Sequence, residues 1–167
     1  MALARKGELL LGVIYNPVYN ELFTATRGEG AFFNGRRIQC SRIGALKNSL
    51  LCTGFPNHDR QANPNIHYYW DFTLRSHGVR RDGSAALDLA CVASGRFDGF
   101  WEFGLAPWDI AAGILLVREA GGYVSDMAGG HDMMTTGDVL AANDHLHLPL
   151  AALIKEALRG GRVTRLA

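Results

Sequence analysis

Two acidic residues, Glu102 and Asp109, stand seven positions apart around the start of an otherwise apolar segment. The apolar residues that follow recur at helical rather than alternating spacing, and two glycines end the run, which predicts a helix over Trp108–Ala120. An acid in the first turn of a helix is stabilised by the helix dipole, so Asp109 could be a helix cap. Carboxylate oxygens are also the ligands that hard divalent cations prefer. The pair therefore predicts either a helix cap alone or a combined metal and substrate site.

A second group of candidate residues lies where a helix opens directly after a short strand. Gly83 and Ser84 follow the predicted strand Val79–Arg81. The free N–H groups of a helix start attract anionic or hydroxyl oxygens, although Ser84 could equally serve only as the helix N-cap. Arg80 and Arg81 could contact a phosphate or pair with nearby aspartates. Because neighbouring strand residues point in opposite directions, we expect at most one of them to face a site.

The elements that position these residues form two parts of one continuous fold, with no repeat or linker between them. Residues 1–48 are predicted to form an antiparallel strand meander, and residues 49–167 an α/β layer in which strands and helices alternate. The predicted strands of the meander are Glu8–Tyr15, Glu21–Arg27, Ala31–Phe33 and Arg36–Gln39. Those of the second part are Ser49–Thr53, Val79–Arg81, Phe97–Phe103, Tyr123–Asp126 and Val139–Ala142. Its predicted helices are Asn65–Ser76, Ser84–Ser94, Trp108–Ala120 and His145–Leu158, and Gly54–Pro64 is a predicted loop.

Composition narrows the class of protein. The chain has 167 residues and is 48% hydrophobic, which is enough for one domain with a buried core. Its 17 basic and 16 acidic residues nearly cancel, so the charge does not indicate a nucleic-acid partner. No apolar run approaches the roughly 18 residues of a membrane helix, and three scattered cysteines predict free thiols in a reducing compartment. We therefore expect a cytoplasmic protein with a small-molecule substrate and without nucleic-acid or membrane partners.

Other catalytic patterns are weaker. His131, His145 and His147 lack the spacing of a zinc site, and the GxSxG pattern of a serine nucleophile is absent. The remaining aspartates of the second half lie near strand ends and turns, where we expect caps and turn residues.

Four separated stretches carry a family resemblance. They are GVIYNPVYNELFTATRGEGAFFNGRRI, RRDGSAALDLACVASGRFDGFWE, LAPWDIAAGILLVREAGG and GGHDMMTTGDVLAANDHLH. In this order they resemble the inositol monophosphatase family, and especially its bacterial branch. The resemblance implies an α/β fold, an α+β layered sandwich of the inositol monophosphatase and sugar phosphatase type, of which residues 1–48 would be a remnant of the N-terminal layer.

The resemblance also implies a magnesium-dependent phosphomonoesterase in which metal ions activate a water and stabilise the leaving alkoxide. Asp109 matches the family's metal-binding aspartate, and Glu102 matches the acid that hydrogen-bonds a hydroxyl of the inositol ring. Further substrate-binding residues are expected at Gly83, Ser84, Ala85 and Arg80, and Arg80 also matches a position near the subunit contact of a homodimer. The implied reaction is the hydrolysis of inositol 1-phosphate, with fructose bisphosphate or a nucleotide phosphate as alternative substrates.

One departure from the family pattern opens a second hypothesis. Family members carry, upstream of the meander, an acidic motif resembling EE and a DPxDGT motif that supply most metal ligands, and neither is present in this chain. We therefore expect an N-terminally truncated member of the fold: a truncated product, an alternative start or a fragment. Such a chain could be a phosphatase, or it could be a catalytically inactive dimerisation or regulatory module.

Overall fold

The computed structural model describes residues 1–55, 63 and 65–159, the side chains of 157–159 excepted. Its first sheet is an antiparallel meander of five strands in sequential order. The strands are β1 (Ala2–Arg5), β2 (Glu8–Asn16), β3 (Glu21–Thr26), β4 (Gly30–Phe33) and β5 (Arg36–Ile38). Tight turns join the outer pairs, and Asn34-Gly35 has positive φ at both positions, as the preferred two-residue hairpin turn requires.

The second sheet is mixed, with the order β7-β6-β8-β10-β9. Strands β6, β7 and β8 are parallel to one another, whereas β10 pairs antiparallel with both β8 and β9. The strands are β6 (Leu50–Thr53), β7 (Gly78–Arg80), β8 (Gly99–Glu102), β9 (Tyr123–Ser125) and β10 (Val139–Ala142). The helices are α1 (Asn65–Arg75), α2 (Ala85–Ala93), α3 (Pro107–Glu119), α4 (Met133–Thr136) and α5 (His147–Arg159), and Leu46–Asn48 forms a 3₁₀ turn.

Two hydrophobic clusters lie on opposite faces of the second sheet. Helices α2 and α3 pack between the two sheets, where residues such as Phe23 from the first sheet and Phe100 from the second share one core. Helices α1 and α5 cover the other face around Trp101. Neighbouring residues of a strand point to opposite faces, so Phe100 and Trp101 belong to different clusters. The layers therefore run sheet, helices, sheet, helices.

The helical layer between the sheets explains the apolar character of α3. Eight consecutive residues, Ile110–Val117, are buried, because α3 contacts α2 and both sheets. Close approach needs glycine: a β-carbon on Gly12 of β2 would lie 2.9 Å from the backbone oxygen of Ala112. At this point the backbone of helix α3 therefore packs directly against the backbone of strand β2, with no side chain of residue 12 between them.

The predicted elements are found with their ends displaced by at most two residues. Strand β1 and the short helix α4 were not predicted. The loop predicted over 54–64 lies mostly outside the described residues. Within the described ranges, no helix combines the length and the apolar character that crossing a membrane requires.

Candidate active site

A cleft of about 330 Å³ lies where β6 and β8 end and where α2 and α3 begin. Its lining contains five of the six predicted metal- and substrate-binding residues, all except Arg80. They are Gly83, Ser84, Ala85, Glu102 and Asp109. The other lining residues are Gly54, Phe55, Arg81, Ala86 and Leu105. Residues separated by up to 55 positions in the chain thus meet in one site.

Asp109 lies in the first turn of α3, three residues after the N-cap Ala106. Its carboxylate accepts a hydrogen bond from the backbone N–H of Ala106 at 3.3 Å. Pro107, whose missing N–H costs nothing at a helix start, begins the helix. The capping role predicted for Asp109 is therefore present, and the same half-buried side chain lines the cleft.

The start of α2 forms the opposite wall of the cleft. Ser84 is the N-cap and its hydroxyl accepts from the backbone N–H of Leu87 at 3.4 Å, as the cap interpretation predicted. Gly83 has a φ of +91°, a conformation that favours glycine. Ala85 and Ala86 carry no polar side chain, so oxygens that enter here would meet the backbone of the first helical turn.

Arg81, and not Arg80 as expected, lies in the cleft. Arg81 lines the cleft, whereas Arg80 closes strand β7 and is absent from the lining. The alternation of strand side chains predicts that only one of the two faces the site, and the family resemblance had indicated Arg80 rather than Arg81.

Glu102 is the last residue of β8 and is only 8% exposed. Burial raises the pKa of its carboxyl to about 7; Arg81 opposes this shift and the charge of Asp109 adds to it. A buried carboxyl that titrates near neutrality can exchange between hydrogen-bond acceptor and donor, which suits contact with a hydroxyl group.

Asp88 is a site neighbour that sequence reasoning missed. It lies on α2 with an exposure of 1%, and among the described residues no donor reaches either of its carboxylate oxygens. Its pKa is raised to about 7, first by burial and then by the charges of Asp82 and Glu102, against the opposing charge of Arg81. The signal in the sequence is an aspartate inside the apolar run AALDLACVA, on a helix whose neighbours pack into the core.

The carboxylates present fit part of a magnesium site. Magnesium is commonly held by one or two carboxylates together with waters and substrate phosphate, and Asp109 can supply one such ligand. Within 1–55, 63 and 65–159, no group of three or more His, Cys, Asp or Glu residues is arranged to hold a metal. The described residues can therefore supply a ligand to such a site, but among them the site is not complete.

Two larger cavities, of about 480 and 520 Å³, lie elsewhere in the molecule. The first is lined by Arg118 and Met133 among others, the second by Cys40 and His145. Neither contains a nominated residue. Convergent chemistry, rather than volume, therefore identifies the candidate site.

Comparison with known proteins gives a consistent answer. The family model described as "Inositol monophosphatase family" matches residues 1–159. The chain belongs to this family. The inositol-1-monophosphatase of Mesorhizobium japonicum is 48% identical over 159 residues, and the Nus factor SuhB of Escherichia coli K12 shows the same identity over the same length. Each match covers 95% of this chain and 60% of the relative.

A solved structure of a similar protein has the same layered fold. The extragenic suppressor protein SuhB from Bartonella henselae superposes with a TM-score of 0.88 at 46% identity, covering 93% of this chain and 60% of that one. The predicted family and the predicted α/β layered fold are therefore confirmed. The chain spans 60% of the length of these relatives.

Proposed function

We propose that the protein hydrolyses a phosphate monoester with magnesium, and that its substrate is inositol 1-phosphate, which yields inositol and phosphate. The observation that carries this proposal is the meeting of Asp109, Glu102 and the start of α2 in one cleft. The family assignment supports phosphatase activity, and one relative is named inositol-1-monophosphatase. Fold alone does not fix a substrate, so the chemistry of the cleft carries the choice.

The residues of the chain take distinct roles in this proposal. Asp109 would hold the divalent cation from the mouth of α3, and bound Mg²⁺ would supply Lewis acidity and an activated water. Glu102 would grip a hydroxyl of the alcohol portion, because its buried carboxyl is poised to accept or donate a hydrogen bond. Backbone N–H groups at Gly83, Ser84 and Ala85 would orient phosphate or hydroxyl oxygens.

The two arginines receive different proposals. From the sequence, either Arg80 or Arg81 could contact a phosphate. Because Arg81 lines the cleft, we assign this contact to Arg81. Arg80, which does not line the cleft, keeps its proposed place near the subunit contact of a homodimer. The proposed setting of the enzyme is the cytoplasm, with a small phosphate ester as its partner and neither nucleic acid nor membrane.

Phosphate release tests the proposal. We expect inorganic phosphate to form from inositol 1-phosphate when Mg²⁺ is present and to stop forming when the metal is chelated. Fructose 1,6-bisphosphate and adenosine monophosphate, run in parallel, report the alternative substrates. If none of the three esters releases phosphate, the proposed phosphatase activity is contradicted.

A second candidate is a non-catalytic dimerisation or regulatory module. One observation favours it: among the described residues, no group of three His, Cys, Asp or Glu side chains is arranged to hold a metal. One relative carries the name Nus factor SuhB rather than the name of a phosphatase. Calorimetric titration with Mg²⁺ separates the candidates, because tight binding at several sites contradicts a metal-free module and undetectable binding contradicts the enzyme.

A further inference from the structure

Gly54, a residue to which the sequence assigned no role, lies directly beside Glu102. Strands β6 and β8 are parallel and Thr53 is paired with Trp101, so the next residues along each strand are neighbours at the ends of the strands. Side chains paired in this way project from the same face of a sheet. A β-carbon built on Gly54 would overlap both carboxylate oxygens of Glu102. The carboxylate therefore occupies the space that any side chain at position 54 would need.

The backbone of Gly54 is anchored and cannot easily withdraw. Its carbonyl accepts a hydrogen bond from Nδ2 of Asn65 at 2.5 Å, and the same nitrogen donates to Oγ1 of Thr53 at 2.9 Å. Nε1 of Trp101 donates to Oδ1 of Asn65. Asn65 and Trp101 are fully buried, so movement of this network would leave buried polar groups without partners.

The carboxylate of Glu102 is the part of this contact that can move, because it ends a flexible side chain. We propose that Gly54 is a positioning residue: its missing side chain leaves the space that holds the Glu102 carboxylate in the cleft and thereby sets selectivity for a polyhydroxylated alcohol. The selectivity part rests on the proposed function, in which Glu102 binds a hydroxyl of the substrate. The placement of the carboxylate does not depend on that function.

A crystal structure of Gly54→Ala tests the placement. We expect the carboxylate to leave its position until it reaches ordinary van der Waals separation from the new methyl group, about 3.5–4.0 Å, while the Asn65–Gly54 hydrogen bond persists. An unmoved carboxylate with a shifted backbone at 54 would overturn the proposal. If Gly54→Ala does not fold, the double variant Gly54→Ala/Glu102→Ala decides, since removing the carboxylate frees the space and should restore folding.

Kinetics test the selectivity. For Gly54→Ala we expect the KM for inositol 1-phosphate to rise about tenfold or more, the scale of a lost hydrogen bond to a charged group, with kcat less affected. Turnover of phenyl phosphate, whose alcohol portion offers no further hydroxyl, should change less than about twofold. Gly78→Ala is the matched control, because the nearest atom of the described residues to its β-carbon is 3.7 Å away and Gly78 lies in the adjacent strand outside the cleft.

A double-mutant cycle shows whether Gly54 acts through Glu102. In a Glu102→Ala background, Gly54→Ala should have no further effect on inositol 1-phosphate. An equal effect in both backgrounds, or loss of phenyl phosphate turnover to the same extent, would overturn the proposed selectivity role. If the unaltered protein hydrolyses neither ester, the proposed phosphatase function fails, and the crystal structure still decides the placement of Glu102.

Discussion

At the scale of single residues, the cleft concentrates acids in a partly buried environment. Glu102 and Asp88 each have a pKa raised to about 7, and for each the first cause is burial. The two acids differ in setting: Glu102 lines the cleft, whereas Asp88 is not among the lining residues and has no donor among the described residues. A buried carboxylate without a partner is costly, so Asp88 should stabilise the folded chain most when it is protonated.

The variant Asp88→Asn tests this cost. Because the folded-state pKa of Asp88 is raised from 3.8 to about 7, the folded protein binds the proton more tightly, and stability falls as pH rises through this interval. Asparagine stays neutral, so we expect the free energy of unfolding at pH 8 to rise by about 1–3 kcal/mol and to depend less on pH. In this variant the free energy of unfolding should still fall as pH rises, because the pKa of Glu102 is also raised to about 7.

Urea unfolding of both proteins between pH 4 and pH 8 measures the effect of Asp88→Asn. Asp98→Asn is the control, because the carboxylate of Asp98 is also buried but accepts hydrogen bonds from Ser41 and from the backbone of Leu50. That substitution should lower stability. A loss of stability for Asp88→Asn at pH 8 would contradict an unpartnered carboxylate.

At the scale of elements, periodicity and turn residues predicted most of the fold. Helix α3 follows from its apolar spacing and from Pro107 at its start, and the hairpin between β4 and β5 follows from Asn34-Gly35. Strand β1 was missed because it has four residues and all of them are exposed, so no alternation marks it.

The cleft was predictable only in part. Asp109 and Glu102 could be predicted from their residue type, and Gly83-Ser84 from its place before a predicted helix. The register that sets Gly54 beside Glu102 depends on pairing between strands 48 positions apart, which no local pattern encodes. The choice of Arg81 over Arg80 depends on which face of β7 meets the cleft.

The close approach of β2 to α3 predicts that a side chain at Gly12 would destabilise the fold. A methyl group at position 12 would meet the backbone of Ala112, which cannot rotate away as a side chain can. We expect Gly12→Ala to lower the free energy of unfolding by about 1–3 kcal/mol through overpacking. Gly44→Ala is the control, because among the described residues its β-carbon would meet just His145, at an ordinary contact distance of 3.9 Å. Equal stabilities of the two variants in thermal unfolding would show that the layers are not packed this closely.

At the scale of the whole molecule, apolar side chains remain exposed on the outer layers. Leu3 of edge strand β1 is 57% exposed, and Trp70 and Leu74 of α1 are 67% and 68% exposed. Unpaired strand edges and apolar surface both favour association. The proposed homodimer is one way in which such surface could be covered.

These exposed surfaces predict that the chain self-associates. We expect sedimentation velocity to show species larger than the monomer, in proportions that increase with protein concentration. Replacing Trp70 and Leu74 together by lysine should shift the distribution towards the monomer if α1 contributes to the contact. A monodisperse monomer that unfolds in one sharp transition would contradict the prediction.

In the proposed reaction, Asp109 at the start of α3 holds a divalent cation against a phosphate ester whose alcohol portion contacts Glu102. The most direct measurement is phosphate release from inositol 1-phosphate by Asp109→Asn, which keeps an acceptor for the N–H of Ala106 while removing the charge. We predict that turnover falls by about a hundredfold or more and that the free energy of unfolding changes by less than about 1 kcal/mol. Normal magnesium-dependent turnover in the folded variant would contradict the claim.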